Sequence, residues 1–397
     1  MTNQINKIDD VLTRGVEQVI PSRKKLSSLM KKRKIKLYQG FDPSMPSLHL
    51  GNLVGLIKLK QFQELGHEVI FLVGDFTGMI GDPTDKLSTR KKLARKQVLE
   101  NAKTWKKQAA KVINFEGPNA AKFMYNSKWN DKLSFKDLIE ITSNFTVQQL
   151  LERDMFQKRL KKQKPIHLHE FLYPVAQGYD SVSMNVDLEI GGSDQLFNML
   201  AGRTLMKALK NKEKFVLTTK LLADKEGEKV GKTTGNALFL DSTPDNFYGG
   251  IMAFPDNAIE LGFELLTEIN LKGLAAKIKK DPMTEKKRLA FEVVKFLWGE
   301  NSAKRAQEGF EQAFQKRKIP EKLHISYVTE TTPTSLATIA ASDVVDLSNS
   351  EIKRLISQGA VEINQKVVTD PSKRIKIPKG GVVIKVGKHK FDRIKRK

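Results

Sequence analysis

No cysteine occurs anywhere in the 397 residues. Disulfide bridges and thiolate zinc sites are excluded with it, and nothing in the composition points to secretion. Histidine is scarce too, with six. Only His167 and His169 sit close in sequence, and an i, i+2 spacing does not put two side chains on one helical face, so no protein-ligated metal is expected. Long apolar runs are missing: none reaches the roughly 18 residues of a membrane span. The opening MTNQINKIDDVL lacks the apolar core of a secretory signal, and Asp9 and Asp10 do not suit an organellar transit peptide. A cytoplasmic protein with no membrane partner is expected. Neither a serine–histidine–acid set nor a cysteine nucleophile is evident. That favours a reaction whose nucleophile belongs to the substrate, needing from the protein only oriented donors and cations, with a metal ion.

Acidic residues are outnumbered, 45 against 69 Lys and Arg, for a net charge of +24. Such an excess favours a polyanionic partner; for any single cluster a solvated basic surface is an equal reading. The clusters are uneven. SRKKLSSLMKKRKIK has eight basic residues and no acidic one, and RKKLARKQVLENAKTWKKQAAK has nine against one. Ser335 to Lys397 has fourteen against six. Basic density in separate segments fits a partner that spans the protein.

The length implies two or three domains. IKLYQGFD, EVIFLVGDF, KFMYNS, VDLEIGG and FVLTTKLL read as strands, with EVIFLVGDF continuously apolar as a strand buried on both faces must be. Leu50, Leu53, Val54 and Ile57 fall at helical spacing, and a long basic helix is predicted from about Leu87 to Ile113. Strands alternating with helices give an α/β fold with a doubly wound parallel sheet. Ligands bind beyond the carboxyl ends of such strands, where QGFDPS, GDFTGMIGDPTD and GGSDQ all fall. Residues 243–318 read as helical, 319–334 as a linker rich in proline and threonine, and 335–397 as a small basic α/β module.

Four motifs carry chemistry. In SLHLGN, Ser47 suits a helix N-cap, His49 and Asn52 are i, i+3 neighbours able to donate to phosphate at a helix start, and Gly51 lets a flat ring approach the backbone. Taken alone, those six residues fit a plain helix start with a surface histidine better than a phosphate site. In EGEKVGKTTGN, Lys229 and Lys232 stand on a glycine-hinged loop that can close over a polyphosphate; a charged surface turn is as good a reading in isolation. In YPVAQGYD, Tyr173, Gln177 and Asp180 line one helical stripe, either around a ligand or on a solvated face. Thr77 and Asp82 in FTGMIGDP, and Asp194 and Gln195 in GGSDQ, fit either turn and capping roles or a polar ring at the carboxyl edge of the sheet.

Together, in this order and spacing, these residues resemble the bacterial-type tyrosyl-tRNA synthetases, within the class I aminoacyl-tRNA synthetases. HLGN is similar to their HIGH signature and KVGKT to KMSKS. YQGFDPSMPSLHLGN, GDFTGMIGDP, LHEFLYPVAQGYDSV and GGSDQLFN match around them, and the likeness covers essentially the whole chain. The resemblance implies a Rossmann-like catalytic domain over 1–242, an anticodon-side helical domain over 243–318 and an S-four-type RNA-binding domain over 335–397. It implies L-tyrosine, ATP with Mg²⁺ and tRNA(Tyr) as substrates, and a homodimer. Carried over by motif, Tyr38 and Asp180 bind the phenolic hydroxyl. Tyr173, Gln177 and Asp82 hold the ammonium, with Thr77 nearby, and Gln195 faces the carboxylate. Gly40, Asp42, Gly51, Gly192 and Asp194 serve the adenosine and adenylate. His49, Asn52, Lys229, Lys232 and Thr233 embrace the phosphates, with Lys86 and Arg90 on a pyrophosphate loop. Two departures stand out: Asn52 replaces the usual histidine, and Gln39 stands where many relatives carry cysteine. The alternatives are a tryptophanyl-tRNA synthetase-like ligase, disfavoured because indole has no hydroxyl for Asp180 and Tyr38, a small-molecule nucleotidyltransferase of the related HxGH superfamily, and a degenerate paralogue that only binds RNA.

Overall fold

The computed structural model describes residues 2–82, 93–224, 230, 238–312, 323–328, 334–335 and 349–396, apart from 365, 376, 379, 388 and 389. Its centre is a six-stranded sheet of β1 (Val16–Ile20), β2 (Lys36–Phe41), β3 (Glu68–Val73), β4 (Lys122–Tyr125), β5 (Leu188–Gly192) and β6 (Phe215–Thr219). The order is β1-β6-β5-β2-β3-β4. All pairings from β2 to β6 are parallel, as the alternation of strands and helices requires. β3 and β6 are apolar and buried along almost their whole length. Phe41 and Phe123 stack on either side of Phe71, at 4.5 and 5.1 Å between ring centroids, and tie β2, β3 and β4 together.

Three sequence expectations are corrected. The sheet is mixed, because β1 adds to β6 antiparallel; its residues VEQVI are half-exposed and too polar to advertise a strand. The long helix expected over 87–113 is two short ones, Arg95–Ala102 and Trp105–Ala109. Its first part lies outside the described residues. The stretch read as a linker holds a strand, His324–Val328, which pairs in parallel with Lys390–Arg396 at the edge of the C-terminal sheet. Alternation in HISYV is short, and its partner lies almost seventy residues away.

The helix Leu50–Glu64 is buried nearly all round, on residues from Leu50 to Gln63. It lies between the sheet and the helix Ile259–Leu266. One apolar core, with Leu53, Ile57, Phe71, Phe247, Phe263 and Leu289, runs through both regions. The helical region is therefore anchored to the sheet domain rather than hung from it. Arg14 adds a polar latch, donating to the carbonyls of Phe263, Glu264 and Ile269. The C-terminal module has its own core, including Ile352, Ile356, Val361, Ile384 and Ile394.

At the amino end of the sheet, Asp187 staples three elements. It accepts from both Arg33 guanidinium nitrogens, at 2.9 and 2.8 Å, and from the Lys36 N–H at 2.9 Å. Lys212 pairs with it at 2.9 Å. Burial alone would raise its pKa; Arg33, the Lys36 N–H and Lys212 outweigh burial and lower it to about 2. A carboxyl more acidic in the folded than the unfolded chain stabilises above its unfolded pKa, and that contribution disappears as pH falls through the folded value. Asp187→Asn is expected to cost about 1.5–3 kcal/mol at pH 7, the worth of hydrogen bonds to a charged group. The difference should shrink below about pH 4 and vanish near pH 2, read from urea midpoints of the two proteins across that range.

Candidate active site

Numbered along the sheet, the strand order reverses between β2 and β5, and a parallel sheet opens its ligand crevice at that point. β2 ends in Gly40-Phe41-Asp42, and β5 ends in Gly191-Gly192, followed by a single 3₁₀ turn, Ser193–Gln195, and the helix Leu196–Lys210. Gly40, Asp42, Gly192 and Asp194 therefore share the carboxyl edge of the sheet.

Asp42 collects two donors: Thr77 Oγ1 at 2.7 Å and the Tyr173 hydroxyl at 2.8 Å. Asp82 accepts from Gln195 Nε2 at 2.7 Å and meets Arg153 at 3.5 Å, while Gln195 Oε1 accepts from Asn198. Tyr173, Gln177 and Asp180 lie on one helix, Leu168–Met184, as their spacing predicts. Gln177 does not join Asp82 or Tyr173, however; its Nε2 donates to Glu189 Oε1 at 2.9 Å.

At the inner end, Asp180 is 2 % exposed. Its Oδ1 accepts from Trp129 Nε1 at 2.7 Å and from Asn130 Nδ2 at 3.1 Å, and its Oδ2 from Asn126 Nδ2 at 3.1 Å. Burial pushes its pKa up to about 8, with Glu189's charge adding to the rise and the three donors opposing it. Tyr38 is fully buried, with its hydroxyl 2.9 Å from Ser181 Oγ; burial first, then the charges of Glu189 and Asp180, hold its pKa well above 10. Asn126 links the two ends of the site. Its Nδ2 also donates to Thr77 Oγ1, at 3.1 Å, so a chain of hydrogen bonds runs from Asp42 through Thr77 and Asn126 to Asp180.

The SLHLGN stretch is built differently from its simplest reading. The N-cap of the helix Leu50–Glu64 is His49, not Ser47. The Ser47 hydroxyl instead meets Asp241 at 2.5 Å. The helix starts late because the Leu50 N–H and the Leu48 carbonyl are bonded to Leu238 and Leu240. His49 and Asn52 form a reciprocal capping box: His49 Nδ1 accepts the Asn52 N–H at 3.3 Å, and Asn52 Oδ1 accepts the His49 N–H at 2.9 Å. A neutral imidazole whose Nδ1 accepts carries its proton on Nε2. An amide whose oxygen turns back to the chain keeps Nδ2 as a donor. Both side chains are thus set as donors where an anion at a helix start needs them. The flat ring over Gly51 is that of His49: a Cβ at Gly51 would lie 2.9 Å from its Cε1.

Lys229, Lys232 and Thr233, and likewise Lys86 and Arg90, lie outside the described residues. Downstream of the KVGKT stretch, Leu238–Leu240 runs beside Leu48–Leu50. No group of three or more His, Asp or Glu side chains poised for a metal is found among the described residues. The sequence reading missed Asn126, Trp129 and Asn130, Ser181, Arg153, and the Glu189–Lys214 pair. The first three follow β4 directly in YNSKWN, and polar groups at the carboxyl end of a parallel strand are the signal that could have marked them.

Comparison with known proteins agrees with this geometry. The family of class I tRNA synthetases for W and Y matches residues 30–315, and the S4 domain matches 345–383. The tyrosine–tRNA ligase of Thermotoga maritima is 39% identical, covering 97% of this chain and 96% of its own length. That of Aquifex aeolicus is 40% identical, covering 97% of each. Among solved structures, a C-terminally truncated mitochondrial tyrosyl-tRNA synthetase of Coccidioides posadasii superimposes with a TM-score of 0.63 at 26% identity, over 76% of this chain and 91% of its own. With the reversal of strand order, the HIGH-like helix cap and full-length relatives of one kind in agreement, the chain belongs to the bacterial-type tyrosine–tRNA ligases, within the class I tRNA synthetases.

Proposed function

We propose that the chain joins L-tyrosine to tRNA(Tyr) in two steps at this crevice. The tyrosine carboxylate attacks the α-phosphorus of ATP, which enters with Mg²⁺, and pyrophosphate leaves. A hydroxyl of the terminal ribose of the tRNA then attacks the carbonyl carbon of tyrosyl-adenylate, and AMP leaves. No nucleophile from the protein is needed, so catalysis is orientation and charge stabilisation.

The observation that carries this reading is Asp180: a carboxyl group sealed at the inner end of the crevice and held by three N–H donors. Its oxygens already accept from those three N–H groups, and a phenol hydroxyl, which can both donate and accept, is the ligand group that suits a buried carboxyl. Phenylalanine would leave that buried group without its ligand partner, which is how such sites discriminate. Tyr38 sits beside it, bonded to Ser181. Tyr173, Gln177 and Asp82, near Thr77, take the substrate ammonium, and Gln195 its carboxylate. Gly40, Asp42, Gly51, Gly192 and Asp194 take the adenosine and adenylate. His49 and Asn52 donate to the phosphates, joined by Lys229, Lys232 and Thr233, with Lys86 and Arg90 on the departing pyrophosphate. The capping box supports a working role for Asn52, since it keeps an amide donor where the family has imidazole. The domains divide at 242 and 318, with the RNA-binding module extended back to His324. The work is cytoplasmic; no helix among the described residues is long and apolar enough to cross a membrane.

The protein acts as a homodimer. Phe135 is 77% exposed, Ile139 56% and Val147 65%, on consecutive short helices, Phe135–Thr142 and Val147–Leu151. Large apolar side chains grouped in this way mark an association surface, and a second copy brings the same patch.

Tyrosine, and no other amino acid, is expected to stimulate exchange of pyrophosphate into ATP; stimulation by tryptophan instead would overturn the assignment. Asp180→Asn should lower kcat/KM for tyrosine in that assay by about 10–100-fold, the cost of a mismatched hydrogen bond in a buried site. A protein ending before His324 should still make tyrosyl-adenylate but lose most of its tRNA charging, measured with the same preparation. Phe135→Asp should shift the protein from dimer to monomer in sedimentation velocity.

A further inference from the structure

Beneath the crevice floor lies an ion pair to which the two-step reaction above gives no role. Glu189, the second residue of β5, is 1% exposed. Lys214, just before β6, is 0% exposed. Lys214 Nζ contacts Glu189 Oε2 and donates to the Met199 carbonyl at 3.0 Å. Ser181 Oγ lies 3.5 Å from the same carboxyl oxygen. The other oxygen, Oε1, accepts from Gln177 Nε2 at 2.9 Å.

A buried charge survives only when paired and hydrogen-bonded, and this pair has a chamber made for it. A Cβ at Gly202 would lie 2.4 Å from Lys214 Nζ and 2.8 Å from Ser181 Oγ. A Cβ at Gly178, on the facing helix, would lie 3.0 Å from the Gly202 nitrogen. The two helices thus approach through glycine, and the ammonium occupies the space left. A plain apolar floor would need none of this.

The consequence falls on Gln177. The groups that meet Glu189 can all donate: the Lys214 ammonium, the Ser181 hydroxyl, the Gln177 amide N–H and the hydroxyl of Tyr38. A carboxylate cannot donate in return. The Gln177 amide is therefore fixed with its nitrogen inward, which leaves its oxygen as the atom offered to the crevice, and an ammonium requires an acceptor. We infer that Glu189, partnered by Lys214, is a positioning residue that sets the Gln177 amide oxygen to receive the substrate ammonium. Lys214 also cancels the charge of Glu189, so the site attracts the ammonium through oriented acceptors and is not flooded by a bare buried anion. The inference rests on the assignment of Gln177 to the ammonium.

The test is the paired variant Glu189→Gln/Lys214→Met. Its neutral amide at 189 can present either end to Gln177, so the orientation is lost without stranding a charge. In pyrophosphate exchange, KM for tyrosine should rise about 10-fold or more, the range of a hydrogen bond to a charged group. kcat and KM for ATP should stay within about twofold of the parent. The discriminating readout is 3-(4-hydroxyphenyl)propionate, which keeps the phenol and carboxylate but lacks the ammonium; its inhibition constant should move far less than KM for tyrosine, since Glu189 reaches the phenol end only through the Tyr38 and Ser181 hydroxyls. Equal weakening of tyrosine and the desamino acid would reduce the pair to a structural prop and overturn the proposal. Gln177→Ala serves as the reference. If it raises KM for tyrosine while the paired variant does not, the positioning role fails alone. If it leaves KM unchanged, the assignment of Gln177 fails, and the proposal with it. Glu189→Asp, which keeps the ion pair but withdraws the carboxylate by one methylene, should show the same selective loss and decides the matter where the paired variant does not fold.

Discussion

A carboxyl group buried at the end of a crevice is costly unless its lone pairs are met, and much of the site is shaped by meeting those of Asp180. Trp129, Asn126 and Asn130 converge on it from the turn after β4. That requires the turn to pack against the helix Leu168–Met184, and it fixes the depth of the crevice. Asn126 then ties Thr77 into the same network, and Thr77 ties in Asp42. Through this chain the Asp180 end and the Asp42 end of the site are placed by one set of hydrogen bonds. Inside a low-dielectric interior such bonds are strong, and a broken one is expensive, so the spacing between the two ends is rigid.

The end at the start of the helix Leu50–Glu64 obeys a different constraint. A helix start leaves N–H groups without partners, and ordinarily a small polar side chain takes one of them. Here the cap is a histidine, and the reciprocal partner at the third position is an asparagine. The cap consumes one acceptor from each side chain and leaves each a donor. The cap thus uses one end of each side chain, so Asn52 serves the helix without spending its amide donor.

β3 was legible because both its faces are buried, so it reads as an unbroken apolar run, and the other parallel strands followed from their alternation with helices. β1 and the strand His324–Val328 were not, since an edge strand needs no such run. Tyr38, Asp42, Thr77, Tyr173, Asp180 and Gln195 could be named because ordered motifs contain them. Their partners could not. Asn126, Trp129 and Arg153 acquire meaning only from proximity across fifty residues or more, and Lys214 sits in KNKEKF, where it looks like any surface lysine. The late start of the helix at Leu50 was illegible for the same reason: it depends on pairing with Leu238–Leu240, nearly two hundred residues on.

Charge resolves into two populations with different work. Inside, basic groups are matched: Lys214 with Glu189, Arg159 with Glu170, and Lys58 with the carbonyls of Val11 and Arg14 at 2.9 Å each. Burial and the nearby Arg14 charge depress the pKa of Lys58 to about 7, so even this cation sits at the limit of what the interior tolerates. Among the described residues the basic excess therefore lies on the surface, where water screens its self-repulsion within about 8–10 Å at physiological salt. A polyanion that lies along such a surface displaces its own counterions and gains affinity that falls steeply with added salt. Nothing in the interior has to change for that to happen. In the proposed reaction the amino acid meets buried groups that salt hardly reaches, while the RNA meets exposed charges that salt governs, and the two can be tuned apart.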